Sequence, residues 1–245
     1  MASTITILTT AMGPCIPSGM VDPLYRLLAW LSPAYPVGGF SYSHGVETAV
    51  EEGFIKDRAS LVAWLATVLV DGTGRVDGAL FAAAWRAAMA QDWETFDAIA
   101  ERAAAWRGTS EMALESRQQG GSFLSITRTA WGHADLDAVY TRLGGALALP
   151  VAVALAAAVH GIALELALGG YLHAFTANLI SAAVRTVPLG QTDGQLALAA
   201  LEVYVSATAR AALAVDDLDE VGTATPLLDW CSLKHETQYT RLFRS

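Results

Sequence analysis

Helical spacing of the large apolar residues governs most of this 245-residue chain. Early in the sequence, leucines recur at i, i+3, i+4 and i+7, which places an apolar stripe on one helix face, as in Leu24, Leu27, Leu28 and Leu31. Alternation of apolar β-branched and polar residues, which strands require, is confined to Thr4–Leu8. We therefore predict an all-α fold, a single domain of about ten helices in an irregular or orthogonal bundle.

Glycine and proline residues mark the expected ends of several helices. Pro150 begins an alanine-rich helix that we extend to Leu168, and Gly169-Gly170 separates it from a helix over Tyr171–Val187. The helical pattern of Ser110–Trp131 contains Gly120-Gly121. Since two glycines weaken a helix but permit close packing, we expect a kink or a close helix contact there.

Composition narrows the class of protein. The formal net charge is −9, from 15 basic and 24 acidic residues, so the surface repels a phosphate backbone and nucleic-acid binding is disfavoured. Hydrophobic residues make up 53% and charged residues 16% of the chain, enough apolar material for a large core. Cys15 and Cys231 are isolated thiols without a disulfide pattern, which fits a reducing, cytoplasmic location.

Two stretches bear on targeting. Residues 1–20 contain no Lys or Arg, unlike a secretory signal, and we expect them to form a poorly ordered tail before a domain over residues 21–245. Leu143–Leu164 has His160 as its only ionisable side chain. Because Pro150 interrupts this stretch and Glu165 follows it, a buried helix is favoured over a membrane span, and we expect no membrane association.

The stretch SPAYPVGGFSYSHGVE, Ser32–Glu47, departs from the helical pattern on both sides of it. Its prolines favour extended backbone and Gly38-Gly39 favours a turn, so its aromatic residues have no periodic reason to be buried. One interpretation is a connection whose aromatics fold back onto the core; the other is a contact surface. The candidate contact residues are Phe40, Tyr42, Ser43, His44 and Glu47.

The last eleven residues, HETQYTRLFRS, mix aromatic and arginine side chains in a way that is typical of interface hot spots. A final helical turn that docks on the chain's own core is the alternative. As contact candidates we take seven residues, His235, Glu236, Tyr239, Arg241, Leu242, Phe243 and Arg244.

No complete catalytic or metal-binding motif emerges from the residues. The five histidines have no HxH, HxxxH or HExxH spacing, and no nucleophile elbow or Walker lysine is present. Asp216–Glu220, DDLDE, matches an acidic metal-binding motif of all-α prenyl-diphosphate enzymes, which stays open as an alternative function. Against it, a second metal motif is missing, because Asn178 is the only asparagine and no carboxylate follows closely. In Pro188–Gln195, PLGQTDGQ, we expect Thr192 or Asp193 to cap the next helix.

Three segments together resemble one family. SPAYPVGGFSYSHGVE, PLGQTDGQ and HETQYTRLFRS are similar, in order and spacing, to the signature stretches of urease accessory protein F, the UreF family. The resemblance runs from about Leu24 to the last residue, although Gly74–Ala148 matches only in helical character.

The resemblance implies an all-helical, non-catalytic protein that acts in assembling the nickel centre of urease. It implies a homodimer that binds UreD, called UreH in some systems, and recruits and gates the nickel-carrying GTPase UreG for apo-urease. No intrinsic metal or cofactor follows, since the partners carry nickel and GTP. The resemblance implies one UreG-facing surface that includes eight of these candidates, Phe40, Tyr42, Ser43, His44, Tyr239, Arg241, Leu242 and Phe243. UreD is expected to meet the C-terminal segment as well, and Tyr171 and His173 are candidate dimer contacts. Leu168-Gly169-Gly170 departs from members that carry basic residues there.

Overall fold

Eleven α-helices and two single-turn 3₁₀ helices make up the regular structure of residues 22–245, the part of the chain that the computed structural model describes. The helices are α1 (Pro23–Trp30), α2 (Val46–Glu51), α3 (Arg58–Val70), α4 (Thr73–Met89), α5 (Trp93–Ala105), α6 (Ser110–Ala130), α7 (Ala134–Leu143), α8 (Leu149–Val159), α9 (Leu164–Thr186), α10 (Gln191–Leu213) and α11 (Pro226–His235). The 3₁₀ turns are Gly39–Ser41 and Leu218–Glu220. The predicted all-α bundle is confirmed. The predictions for residues 1–20 lie outside the described residues.

Side-chain caps begin several of these helices. Asp57 accepts a hydrogen bond from the backbone N–H of Ser60 at the start of α3, and the Ser60 hydroxyl accepts one from the N–H of Asp57. This reciprocal capping box satisfies two of the N–H groups that a helix start leaves without a partner. The Asp57 cap was expected from the sequence and is confirmed.

Helix α8 lies at the centre of the bundle. All its residues from Pro150 to Ala158 are buried, and it packs against α4, α6 and α9. Five alanines in this helix let its neighbours approach closely, as a densely packed core requires. The prediction of a buried alanine-rich helix at Pro150 is confirmed.

The predicted break at Gly169-Gly170 is wrong. The chain breaks earlier, at Gly161, whose φ of +69° lies in the left-handed region that glycine adopts easily. There the N–H of Gly161 donates to Ala158 O and the N–H of Ile162 to Ala157 O, so two carbonyls at the end of α8 are satisfied. Helix α9 instead runs through both later glycines. A Cβ at Gly170 would lie 2.8 Å from Cδ1 of Leu31, which directly follows α1, so glycine permits this close approach.

The glycine pair in α6 produces a close helix contact. A Cβ at Gly120 would lie 2.1 Å from the carbonyl oxygen of Leu147, which leads into α8. Since no side chain fits at that distance, Gly120 sets the approach of α6 to the start of the central helix. The helix itself continues from Ser110 to Ala130. Of the two expected outcomes, the close contact is the one observed.

Three helical stretches, Arg58–Met89, α9 and α10, are long and apolar enough to cross a membrane by length and composition alone. Half of the most apolar window of α9 is buried in the bundle, but only 22% of that of α10. The open side of α10 carries Leu196, Val203 and Tyr204. That the chain works away from a membrane stays a prediction.

Candidate partner-binding site

The opening stretch folds into a bent loop that leads into α2. Its backbone turns at Gly38, with φ of +75°, and again at His44 and Gly45, with φ of +55° and +78°. A left-handed conformation is unfavourable for a residue with a side chain, so His44 needs support from its surroundings. The ring supplies it: Nε2 lies 2.8 Å from the Thr73 hydroxyl and Nδ1 lies 3.2 Å from Oε2 of Glu115.

The last residues of the chain lie directly against this loop. The N–H of Arg244 donates to Ser41 O at 2.9 Å, and the N–H of Ser43 donates to Ser245 O at the same distance. Two segments about 200 residues apart in sequence are therefore joined by backbone hydrogen bonds. The opening and closing stretches, which the sequence assigns to one surface, are brought together.

Glu47 is the main anchor of the tail. Its carboxylate is buried and accepts hydrogen bonds from the N–H groups of Leu242 at 2.7 Å and Phe243 at 3.0 Å. His235 Nε2 lies 3.1 Å from the same carboxylate. Hydrogen bonds to an ionised acceptor in a buried site are stronger than those between neutral groups. One side chain of α2 thus fixes both the tail backbone and the end of α11.

His235 bridges two carboxylates. Its ring is fully buried, and its Nδ1 lies 2.7 Å from Oε2 of Glu111, on the ring edge opposite Glu47. Both ring nitrogens therefore lie within hydrogen-bonding distance of a carboxylate oxygen. The other oxygen of Glu111 accepts a hydrogen bond from Arg241 Nη1 at 2.9 Å, which ties the tail to α6 a second time.

Glu115 holds the final residue. The Ser245 hydroxyl donates to its Oε2 at 2.7 Å, on the same oxygen that faces His44. Burial by itself raises the pKa of the Glu115 carboxyl, but His44, Ser245 and Arg107 together bring that pKa below its ordinary value. The carboxylate is thus stabilised in its charged form. We call the five buried residues of this network the tail cluster: His44, Glu47, Glu111, Glu115 and His235.

Exposed side chains cover the tail cluster. Phe40, Tyr239 and Leu242 are exposed by 69%, 104% and 60%. The Arg185 guanidinium lies 4.6 Å from the ring centre of Phe40 and 4.2 Å from that of Phe243, and it donates to Phe40 O at 2.7 Å. Aromatic, aliphatic and cationic groups are therefore held outward above a sealed ionic network, a combination that is typical of protein-binding surfaces.

The candidate contact residues divide by exposure. The exposed members are Phe40, Glu236, Tyr239, Arg241, Leu242 and Arg244, and the buried members are Tyr42, Ser43, His44, Glu47, His235 and Phe243. The sequence predicts that both Phe40 and Tyr42 face outward, which is wrong for Tyr42. Its ring is 3% exposed and its hydroxyl donates to Gln118 of α6. The buried members thus support the surface from beneath. For them, the interpretation in which side chains of the connection fold back onto the core applies.

The two candidate dimer contacts, Tyr171 and His173, also differ in exposure. Tyr171 is buried, and its hydroxyl donates to Asp77 Oδ2 at 2.6 Å. Burial and the neighbouring Asp77 carboxylate raise the pKa of Tyr171 well above its ordinary value. His173, two residues further along α9, is exposed.

Sequence reasoning missed the carboxylates that hold the tail. Glu111 and Glu115 are one helical turn apart, on the same buried face as Met112 and Gln119. Acidic residues on an apolar helix face need partners, and that pattern was a usable signal. Arg185 gave no such signal, since an arginine in the last turn of a helix is ordinary.

The two remaining motifs form local structure. Asp217 accepts from the N–H of Asp219 and begins the 3₁₀ turn, while Asp219 pairs with Arg102. The acidic stretch is thus a turn and not a pair of carboxylates facing each other across helices. In PLGQTDGQ, the expected cap by Thr192 or Asp193 is wrong, because both lie inside α10 and the N-cap is Gly190, which has no side-chain cap hydrogen bond. Asp193 instead accepts from the N–H of Gly190 and from Arg58 at 3.1 Å.

The tail cluster does not have the geometry of a metal centre. Two of its three carboxylates, those of Glu47 and Glu111, face opposite edges of the His235 ring, so they cannot converge on one ion. Across residues 22–245, no three His, Cys, Asp or Glu side chains are grouped to hold a metal. What the arrangement does is clamp a tail and display the residues above it.

The fold and the site together define an all-α bundle with a clamped, outward-facing tail. A family model described as UreF matches residues 55–202, most of this bundle. The chain belongs to the UreF family of urease accessory proteins.

Several similar proteins carry the name urease accessory protein UreF. One from Granulibacter bethesdensis is 51% identical over 222 residues, which cover 91% of this chain and 94% of the relative. One from Rhodopseudomonas palustris strain BisA53 is 48% identical over 97% of this chain and 100% of the relative. One from Bradyrhizobium sp. strain ORS 278 is 52% identical, covering 91% and 92%. The similarity thus includes the opening stretch and most of the bundle.

Proposed function

We propose that this chain is a non-catalytic adaptor in the assembly of the nickel centre of urease. In this role it binds UreD (UreH) and recruits and gates the nickel-carrying GTPase UreG, so that metal reaches apo-urease. Membership of the UreF family supports the urease context. The partner contacts rest on the surface above the tail cluster.

One observation carries the proposal. The buried charged residues of the tail cluster are of types that serve catalysis in enzymes, but here they hold the tail. Glu47, Glu111 and His235 are buried and occupied by tail or helix partners. By contrast, Tyr239 and Leu242 contribute exposed apolar area beside Arg241. Aromatic and arginine side chains of this kind dominate the binding energy of protein interfaces.

Co-elution of the chain with UreD and UreG tests the proposal. We expect a ternary complex from the wild-type chain, and a weaker one from Tyr239→Ala, whose ring is fully exposed and free to contact a partner. Truncating a hot-spot side chain costs about 2 kcal/mol or more, which is roughly a thirtyfold loss of affinity. Arg241→Ala removes a tail contact as well and should weaken the complex at least as much.

Two control variants separate this surface from the rest of the molecule. Met89→Ala removes a half-exposed apolar side chain at the end of α4, and Asp216→Ala removes a charge from the acidic stretch. Neither should change complex formation. A complex that survives Tyr239→Ala and Arg241→Ala, or that Asp216→Ala abolishes, contradicts the assigned surface.

We further propose a homodimer through α1 and α9. Leu24, Tyr25 and Leu28 of α1 are 50%, 68% and 65% exposed, and they form one apolar face. The contact of Leu31 with Gly170 sets this helix beside α9, where Leu166 is 46% exposed. Exposed His173 lies on the same helix, while Tyr171 supports the helix from inside.

Light scattering coupled to size-exclusion chromatography tests the dimer. Tyr25→Arg combined with Leu28→Arg places two charges on the apolar face and should convert a dimer into a monomer. Val203→Arg, on the exposed side of α10, is the matched control and should leave the mass unchanged. A monomeric wild-type chain, or a dimer that tolerates the double variant, argues against this interface.

We propose that the protein works in the cytoplasm without a cofactor of its own. Burial raises the pKa of the Cys231 thiol to about 11, so this cysteine is unreactive in a reducing compartment. We expect the purified chain to bind nickel no tighter than about micromolar and not to hydrolyse GTP alone. Calorimetry that finds a tight stoichiometric nickel site contradicts this part of the proposal.

A further inference from the structure

A groove of about 340 Å³ lies beside the tail cluster, where the opening stretch, α6 and the last residues of the chain meet. Residues 36–38, Ser41 and Tyr42 of the opening stretch form part of its lining. Helix α6 supplies Gln118 and Ser122, and the tail supplies Arg244. Since Gln118 and Arg244 are both exposed, their side chains can be reached from solvent.

Arg244 is the one charged residue that lines this groove. The chain carries 24 acidic residues against 15 basic ones, yet no carboxylate belongs to the lining. Within residues 22–245, the hydrogen bond that Arg244 makes comes from its backbone N–H, which donates to Ser41 O at 2.9 Å. Its guanidinium has no acceptor in this part of the chain, so the groove is positively charged and lacks a counterion there.

The backbone on either side of Arg244 is fixed. Phe243 and Ser245 are 4% and 0% exposed. The N–H of Phe243 donates to Glu47 at 3.0 Å, and the Ser245 hydroxyl donates to Glu115 at 2.7 Å. The exposed arginine therefore stands on an ordered backbone between two buried residues. Less conformational entropy is lost when a group held in this way binds a ligand.

The neutral side chains of the groove add hydrogen-bond donors. The Tyr42 hydroxyl donates to Oε1 of Gln118, which leaves the two N–H groups of the Gln118 amide for another acceptor. The hydroxyls of Ser41 and Ser122 also line the groove and make no hydrogen bond within residues 22–245. Donors of this kind around a guanidinium favour an acceptor that carries negative charge.

We infer that the groove binds an acidic side chain of a protein partner, whose carboxylate pairs with Arg244. A guanidinium can donate two parallel hydrogen bonds to a carboxylate, and Gln118 and Ser122 supply further donors. A water molecule takes up about 30 Å³ of liquid volume, so the groove has room for the whole side chain and not for a carboxylate alone. Pro36 and Val37 offer apolar contact to its methylene groups.

Continuity with the exposed surface favours a protein as the occupant. Ser41, which lines the groove, directly follows Phe40, whose ring is 69% exposed. A partner that covers Phe40 therefore also reaches the mouth of the groove. The inference rests on the proposed partner-binding function and adds the chemistry of one contact, an acidic residue on the partner.

Partner affinities of charge variants test the contact. Titration calorimetry measures the affinity of UreD for the chain and then that of UreG for the resulting complex. We expect Arg244→Glu to weaken at least one of these steps tenfold or more, because repulsion replaces attraction. Arg244→Lys should lose less, since it keeps the charge but not the paired hydrogen bonds. Arg210→Glu, at an exposed arginine near the end of α10, makes the same change of charge and should leave both affinities unchanged.

Two outcomes of this titration have different meanings. A wild-type chain that binds neither protein contradicts the proposed function. A wild-type chain that binds both, with an Arg244→Glu variant that binds equally well, contradicts the groove alone. Amide exchange of Leu242 and Phe243 should stay as slow in Arg244→Glu as in the wild type. Weaker binding together with lost protection would assign Arg244 a structural role and overturn the inference.

A peptide titration tests the groove without any partner or variant. Blocked Gly-Glu-Gly is added to the wild-type chain, with blocked Gly-Gln-Gly and inorganic phosphate as the comparison probes. We expect the glutamate peptide to bind weakly and to move the amide resonances of Ser41, Ser122 and the Gln118 side chain most. Equal shifts from the two peptides, no shift at these residues, or tighter binding of phosphate than of the glutamate peptide overturns the inference.

Discussion

The tail cluster and the buried pair of Arg107 and Asp77 use similar residues in different ways. In the tail cluster, Glu47 accepts two backbone N–H groups and faces His235. In the other pair, Arg107 Nη1 lies 2.8 Å from Asp77 Oδ1, while Arg107 Nε and Nη2 have no hydrogen-bond partner among the described residues. A buried polar network with every member satisfied stabilises one conformation more strongly than one that leaves donors without partners.

Position in the chain explains this difference. The tail cluster joins segments from the two ends of the described chain, which only a dense set of ionic contacts can hold against chain entropy. Arg107, between α5 and α6, and Asp77, on α4, belong to elements that already pack against each other. Their pair therefore adds to a contact that the core has formed, and its loss should cost less.

Glu47→Ala should have the largest effect on stability. It removes the acceptor of the Leu242 and Phe243 N–H groups and leaves His235 with one carboxylate. Breaking a buried charged pair typically costs about 3–5 kcal/mol, and the tail should lose protection from hydrogen exchange. Denaturant unfolding measures the loss in the free energy of unfolding, and amide hydrogen exchange measures the loss of protection in the tail. Glu52→Ala, which breaks the exposed pair with Lys234, should cost about 0–1 kcal/mol.

Arg107→Gln should have a smaller effect. It breaks one contact with Asp77, and the Asp77 carboxylate keeps the Tyr171 hydroxyl as a donor. Because both partners are buried, we expect a loss of about 3 kcal/mol in the free energy of unfolding, at the lower end for breaking a buried ion pair, part of which Asp77→Asn should restore. A loss at the upper end, about 5 kcal/mol, would mean that this pair is as structural as the tail cluster.

The sequence predicted the helices well, and it also singled out the two stretches that lie side by side in the structure. Periodic leucines and local caps such as Asp57 depend on neighbours within a few residues, so they can be identified without a structure. The unusual composition of Ser32–Glu47 and of the last eleven residues pointed to segments that serve some purpose other than a regular helix.

Burial within those segments could not be predicted. Tyr42 is buried because Gln118 of α6 meets its hydroxyl, and His44 because Thr73 and Glu115 meet its ring. These partners lie tens of residues away and depend on how the helices pack. The helix break at Gly161 was missed because the sequence does not show which glycine adopts a left-handed φ and which, like Gly170, lies inside a helix against a neighbouring side chain.

The stability contributions of two carboxyl groups, Glu115 and Asp229, should respond to pH in opposite ways. The pKa of Glu115 is lowered in the folded chain, so its contribution to stability is present above the unfolded pKa and is lost as pH falls through the folded value. The pKa of Asp229 is raised by burial, so its ionisation opposes folding once the pH exceeds the ordinary carboxyl range.

Denaturant unfolding between pH 3 and 7 measures these responses. Glu115→Gln should flatten the acid loss of stability below about pH 4.5, where unfolded carboxyl groups begin to protonate. Asp229→Asn should change stability little in acid and increase it slightly at neutral pH. Equal slopes for both variants would show that the two carboxyls do not differ in the way that their surroundings indicate.

Arg185→Lys should have the smallest effect and tests how far the tail cluster extends outward. Lysine keeps the charge but loses the planar contact with the Phe40 and Phe243 rings and the hydrogen bond to Phe40 O. An exposed cation–π contact contributes about 0.5–1 kcal/mol, so the free energy of unfolding should fall by that amount. Arg58→Lys, in the exposed pair with Asp193, is the matched control. A loss near that of Glu47→Ala would show that the tail is held as much from above, by Arg185, as from below by the buried carboxylates.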